Sequence, residues 1–102
     1  MAKAIQIDES DNVATVTSDV GVGEVVEVLS PDGEVILRPE MRGAVGFGHK
    51  IALKSLGKGE EVVKYGEVIG VASRSISVGA WVHTHNVESA TVPTSAYAEG
   101  EE

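Results

Sequence analysis

Val20-Gly21-Val22-Gly23-Glu24-Val25-Val26 returns as Leu56-Gly57-Lys58-Gly59-Glu60-Glu61-Val62, and again as Ile76-Ser77-Val78-Gly79-Ala80-Trp81-Val82. Each copy places an apolar residue, two variable positions, glycine, two further positions and then valine. Glycine just before a valine-rich run suits a turn that needs positive φ, so each copy reads as a turn leading into a strand. The copies start 36 and then 20 residues apart, too irregular for a solenoid. They mark recurrent turn chemistry inside one compact β domain.

Outward from these turns the strand pattern continues. Short β-prone runs are expected over residues 13–17, 25–29, 34–37, 49–53, 61–63, 68–73 and 81–85. Ser30-Pro31-Asp32-Gly33 joins the second run to the third, and its proline and final glycine suit a type I turn closing a hairpin. Lys64-Tyr65-Gly66-Glu67 is a further turn, while Arg38-Pro39-Glu40-Met41-Arg42 breaks the pattern and crosses to the second half. Ile51 and Leu53 fall on one face of their run. No window holds a sustained helical period. Valine dominates, glycine numbers twelve, and Phe47, Tyr65, Trp81 and Tyr97 are the only aromatics, so the reading is all-β. At 102 residues the chain is one small domain. Its expected extent is 1–90, with polar character from Asn86 onward leading into an acidic, flexible tail over 91–102.

Sixteen acidic against eight basic residues leave a formal charge of −8. Phosphate-rich partners need a basic footprint, which argues against nucleic acid and against an anionic membrane surface. Six of the basic residues (Arg38, Arg42, Lys50, Lys54, Lys58, Lys64) crowd between positions 38 and 64. That local excess could steer a small anion, or could be an ordinary solvated face. Without cysteine there is neither disulfide nor thiolate metal site. The first residues lack the apolar core of a signal peptide, and no apolar run reaches membrane-spanning length, so a cytoplasmic location is expected.

Trp81-Val82-His83-Thr84-His85-Asn86 is the stretch that carries chemistry. In a strand, His83 and His85 would project from the same side. Two imidazoles side by side can share a transition metal or bind an anionic oxygen. A metal site normally needs at least three protein ligands, so His49, another chain, or water and substrate would have to complete it. The opposing reading is a pair of solvated strand-end histidines beside a core tryptophan. Gly43-Ala44-Val45-Gly46-Phe47-Gly48 lacks the spacing of a nucleotide loop, and its glycines read as tight turns or a close backbone approach.

Gly48-His49-Lys50-Ile51-Ala52-Leu53, Gly59-Glu60, Tyr65-Gly66-Glu67-Val68-Ile69-Gly70 and Trp81-Val82-His83-Thr84-His85-Asn86 occur in that order. Together they resemble the N-terminal SAF-type domain of the altronate and galactarate dehydratase family, best over residues 43–87. The resemblance implies a β-clip fold and elimination of water, or of sulfite, from a sugar acid or related hydroxy-acid such as altronate, galactarate or sulfolactate. It also implies a large dehydratase-like catalytic partner, this chain acting as the small subunit. On that footing His49, His83 and His85 are expected at the catalytic site, as metal ligands, substrate-oxygen ligands or proton carriers. Lys50 and Asn86 are expected on the substrate. A divalent metal, iron or manganese (zinc also suits imidazole and oxygen), is expected on His83 and His85 or held mainly by the partner. The rival readings are a free-standing sugar-acid-binding module and a purely structural cap.

Overall fold

In a computed structural model, which describes residues 1–89, the chain forms nine short strands, and no helix occurs among the described residues. They are β1 (Ala2–Ile5), β2 (Val13–Val16), β3 (Val26–Leu29), β4 (Val35–Leu37), β5 (Lys50–Ala52), β6 (Glu61–Lys64), β7 (Glu67–Ala72), β8 (Trp81–Val82) and β9 (Val87–Glu88). Six form one sheet in the order β4-β3-β1-β2-β5-β8, and three form another in the order β6-β7-β9. Only β1 and β3 pair in parallel; the other ladders are antiparallel. The expected all-β class is what the chain adopts.

Strand alternation divides the core in two. Ala14 and Val16 of β2 and Ile51 of β5 join Ala4, Val20, Val26, Val28, Met41 and Val45 in one cluster. Their neighbours Val13 and Ala52 face the other way, into a cluster with Leu56, Val62, Ala72, Ile76 and Val82. Each fully buried Val, Ile or Leu contributes about 1.5–3 kcal/mol, so a small domain poor in aromatics can still close two thin cores. Leu53 packs on the same cluster as Ile51, as their spacing predicts.

Four nine-residue units organise the turns: 16–24, 41–49, 52–60 and 72–80. In each, the first residue (Val16, Met41, Ala52, Ala72) and the fifth (Val20, Val45, Leu56, Ile76) are buried. The eighth is a glycine with φ between 82° and 90° (Gly23, Gly48, Gly59, Gly79), a conformation costly for any residue with a Cβ. The units join as reciprocal pairs. Val20 and Val45 exchange two backbone hydrogen bonds of 2.9 Å, and Leu56 and Ile76 exchange two of 2.8 Å. Gly23 N–H donates to Met41 O and Gly48 N–H to Val16 O; Gly59 N–H donates to Ala72 O and Gly79 N–H to Ala52 O. The sequence template finds three of these turns. The structure adds a fourth, at 45–49, where Ile51 stands in place of the template's valine.

Both expected hairpin turns form. Gly33 N–H donates to Ser30 O at 2.8 Å between β3 and β4, with Gly33 at φ 88°. Tyr65 and Gly66 both take positive φ between β6 and β7, which matches the strand twist. The unusual φ of 60° at Tyr65 is held by buried Asp11, whose carboxylate accepts the N–H groups of Tyr65 (3.1 Å) and Gly66 (2.9 Å).

Three expectations need correction. Residues 81–85 do not form one strand: β8 ends at Val82 and a turn follows. Asn86 does not begin a fraying end, because it is buried and β9 follows it, pairing with β7 at Val71↔Glu88 and Ala72↔Val87. β1 was not foreseen; Ala2-Lys3-Ala4-Ile5 has weak strand propensity, and pairing on both edges, with β2 and β3, overrides it. The tail expected over 91–102 lies outside the described residues. No helix of the described residues is long and apolar enough to cross a membrane.

Candidate functional site

His49 closes the second nine-residue unit, the position taken by Glu24 and Glu60 in the first and third. Those glutamates cap their own turns: the N–H groups of Gly21 and Gly57 donate to Glu24 Oε1 and Glu60 Oε1 at 2.6 Å. The His49 ring occupies the same ground. Its Cδ2 lies 3.6 Å from where a Gly46 side chain would start, and Glu60 Oε1 lies 3.7 Å from the matching point on Gly57. In the histidine turn it is Asp19 of the paired unit that supplies a carboxylate, accepting Phe47 N–H at 2.8 Å. An imidazole thus stands where the fold elsewhere uses a carboxylate.

The β5–β8 ladder carries His49 to the other histidines. Lys50 pairs with Val82 and Ile51 with Trp81, so the next rung sets His49 opposite His83. Their ring centroids are 5.2 Å apart with planes at 75°. Trp81 stacks on His83 (5.2 Å, 11°), meets His49 edge-on (5.5 Å, 85°) and lies tilted against His85 (4.9 Å, 45°). All three histidines of the chain therefore touch its one tryptophan. Trp81, His83 and His49 are half-buried and His85 is exposed.

Simple strand alternation does not bring His83 and His85 together. Residues 83–86 turn, with Asn86 N–H donating to His83 O at 3.0 Å. The Asn86 side chain completes the turn: Oδ1 accepts His83 N–H at 2.9 Å and Nδ2 donates to Trp81 O at 2.8 Å. Asn86, expected on the substrate, is buried and spends its amide on the backbone that presents His83.

Lys50 projects from the face of β5 opposite to His49, yet it and His83 border the same groove. The two line a groove of about 280 Å³ with Ile69, Thr84, Val87, Glu88 and Ser89. Burial, and then the neighbouring charge of Lys64, push the Lys50 ammonium below the usual lysine range. Of the other basic residues, Arg38 pairs with Glu27 (3.3 Å) and Lys54 with Glu60 (3.9 Å), so the segment is not one free cationic face. Among the described residues no three His, Cys, Asp or Glu side chains converge as metal ligands.

Trp81 packs on the core as the sequence suggests, but its contacts with all three histidines, and the backbone hydrogen bonds of the Asn86 amide, were not expected. A signal for the first existed: Trp81 and His83 are two apart at the end of a short strand, and so share a face.

Comparison with known proteins assigns the chain to a family. The altronate/galactarate dehydratase SAF domain model matches residues 2–90. Altronate dehydratase of Bacillus subtilis (strain 168) is 36% identical over 88 residues, covering 86% of this chain and 16% of that protein. Altronate dehydratase of Escherichia coli (strain K12) is 40% identical over 82 residues, covering 80% of this chain and 15% of that protein. The chain thus spans about a sixth of the length of these relatives. The (2R)-sulfolactate sulfo-lyase subunit alpha of Chromohalobacter salexigens is 35% identical over 82 residues, covering 79% of this chain and 87% of that subunit.

Proposed function

The chain belongs to the altronate/galactarate dehydratase SAF-domain family, and from that premise we propose that it is the small subunit of a two-component lyase acting on a small anionic hydroxy-acid. The subunit reading draws support from alignment along 87% of a relative named as a subunit alpha. The observation that carries the site is the gathering of His49, His83 and His85 around Trp81.

The reaction removes a proton from the carbon beside a carboxylate. The electron pair left behind forms a carbon–carbon double bond as water, or sulfite, departs from the next carbon. Charge builds on the carboxylate during this step, and fixed cations lower its energy. Lys50, at the edge of the groove it shares with His83, binds the carboxylate. An imidazole is suited to take or return the proton near neutral pH. His83, with its backbone braced by Asn86, and His49, set by its turn, are the better-positioned candidates; His85 is the outermost and meets substrate oxygens. The large catalytic chain supplies the rest of the site. A divalent metal such as iron or manganese, held on His83 and His85 or mainly by the partner, would supply Lewis acidity toward the leaving group.

The test is recovery of the tagged chain from native extract, followed by assay of whatever complex results on altronate, galactarate and sulfolactate. Co-purification of a larger dehydratase-like chain is expected. In the complex, His83→Ala and His85→Ala should each lower turnover by roughly 10²-fold or more, the scale of acid–base and oriented polar catalysis. Turnover by the isolated chain, or unchanged rates in both variants, would overturn the reading. Recovery of the chain alone with a bound sugar acid would favour a free-standing binding module.

A further inference from the structure

We propose that Trp81 is a positioning residue: its indole, stacked on His83 and in contact with His49 and His85, orders the three imidazoles into one arrangement. Four observations lead there. Trp81 is half-buried, with part of its surface packed on the larger core cluster. The remainder meets His49, His83 and His85, at centroid separations of 5.5, 5.2 and 4.9 Å. Its backbone is tied into the same unit, because its carbonyl accepts the Asn86 amide that also caps His83. Finally, Trp81 Nε1 is buried without a hydrogen-bond partner.

The last point argues against a merely structural tryptophan. A buried N–H without an acceptor costs about 1–3 kcal/mol, which phenylalanine at the same place would avoid. An aromatic face, rather than the indole N–H, is therefore what the histidines use at this position. At His83 stacking also has a chemical advantage: it holds the imidazole by the plane of the ring and leaves the nitrogens at the ring edge unused. Among the described residues no imidazole nitrogen takes part in a hydrogen bond; the His83 bond to Asn86 uses the backbone N–H. Hydrogen-bonded histidines would be better fixed but less available. An aromatic hub resolves that conflict, since aromatic contacts add roughly 0.5–1.5 kcal/mol each without consuming a donor or acceptor.

The structural part of this proposal stands on the ring geometry alone; its kinetic consequence rests on the lyase reading. The experiment pairs Trp81→Leu with Trp81→Phe. In the free protein, proton NMR should show His83 ring protons shifted upfield by the indole, and a cross-relaxation contact between the His49 and His83 rings. Trp81→Leu should abolish both while keeping a folded amide spectrum; Trp81→Phe should keep the His49–His83 contact and fold at least as stably as the parent. In the reconstituted complex Trp81→Leu should lower kcat by roughly 10²-fold with KM changed by less than about 3-fold, and Trp81→Phe should restore most of it. A persisting His49–His83 contact in Trp81→Leu would overturn the proposal. Should Trp81→Leu not fold, loss of that contact in folded Trp81→Phe would overturn it as well. Absence of lyase activity in the parent complex would instead strike the functional reading, leaving the NMR result to decide the role of Trp81.

Discussion

The turns that end at Glu60 and at His49 share a backbone and differ in what the last side chain is asked to do. Both have a central glycine near φ +85° to +90° and the same reciprocal bonds to a partner unit. At Glu60 the carboxylate folds back and caps Gly57 N–H at 2.6 Å. At His49 the ring lies over the same ground but turns to Trp81 and His83, and the paired unit's Asp19 caps Phe47 instead. The difference separates two reasons for a residue to be where it is. Glutamate is the local solution to the turn, adopted in two of the four units; histidine forgoes that solution in the one unit that abuts β8 at His83.

Exchanging the two residues breaks the comparison most directly. His49→Glu should fold normally, because the turn already accommodates a capping carboxylate, yet the reconstituted complex should lose roughly 10²-fold or more in turnover. Glu60→His should do the reverse, keeping turnover while losing about 1 kcal/mol of unfolding free energy with the cap. Denaturant unfolding and steady-state kinetics on both variants check this. A His49→Glu variant with parental turnover would make His49 a structural residue.

The central glycines sharpen it next. At Gly59 an added Cβ has nothing within 4 Å, so Gly59→Ala should cost only the left-handed conformation, about 1–2 kcal/mol. At Gly79 the Cβ would meet Glu40 O at 2.6 Å. Gly79→Ala should add overpacking of about 1–3 kcal/mol on top. Equal losses of stability in the two variants would mean that the backbone at Glu40 yields freely.

The smallest effect lies away from the histidines. Glu27 is held below the usual carboxylate range by hydrogen bonding from Lys3, with Arg38 adding to it. A carboxyl depressed in the folded state stabilises at pH above its unfolded value, and that contribution fades as pH falls through the folded one. Glu27→Gln should therefore flatten part of the acid loss of stability, which His49→Glu should not do. Thermal unfolding from neutral pH to below pH 4 reads the difference.

Much of this was legible in the chain. Repeated glycine turns and valine runs announce an all-β domain, because φ preference and strand alternation are local properties. The hairpins at 30–33 and 64–67 follow from turn chemistry for the same reason. The 45–49 turn escaped a template that demanded valine, although isoleucine buries equally well. β1 escaped because pairing on both edges, not propensity, makes it a strand. His83 and His85 do share one neighbourhood with His49, but through a turn and a common contact with Trp81 rather than through strand alternation.

By itself, then, the sequence determined the class of fold, the places where the chain must turn, the absence of thiol chemistry and the three imidazoles available for work. Tertiary structure alone decided which of four like turns would face β8. It also decided that Trp81 would touch all three histidines and that the Asn86 amide would bond to the backbone at Trp81 and His83. Local preferences act through a residue's own φ, charge and side-chain size. Which residues come opposite one another, His49 and His83 among them, depends on the register of β5 against β8, a pairing between segments some thirty residues apart.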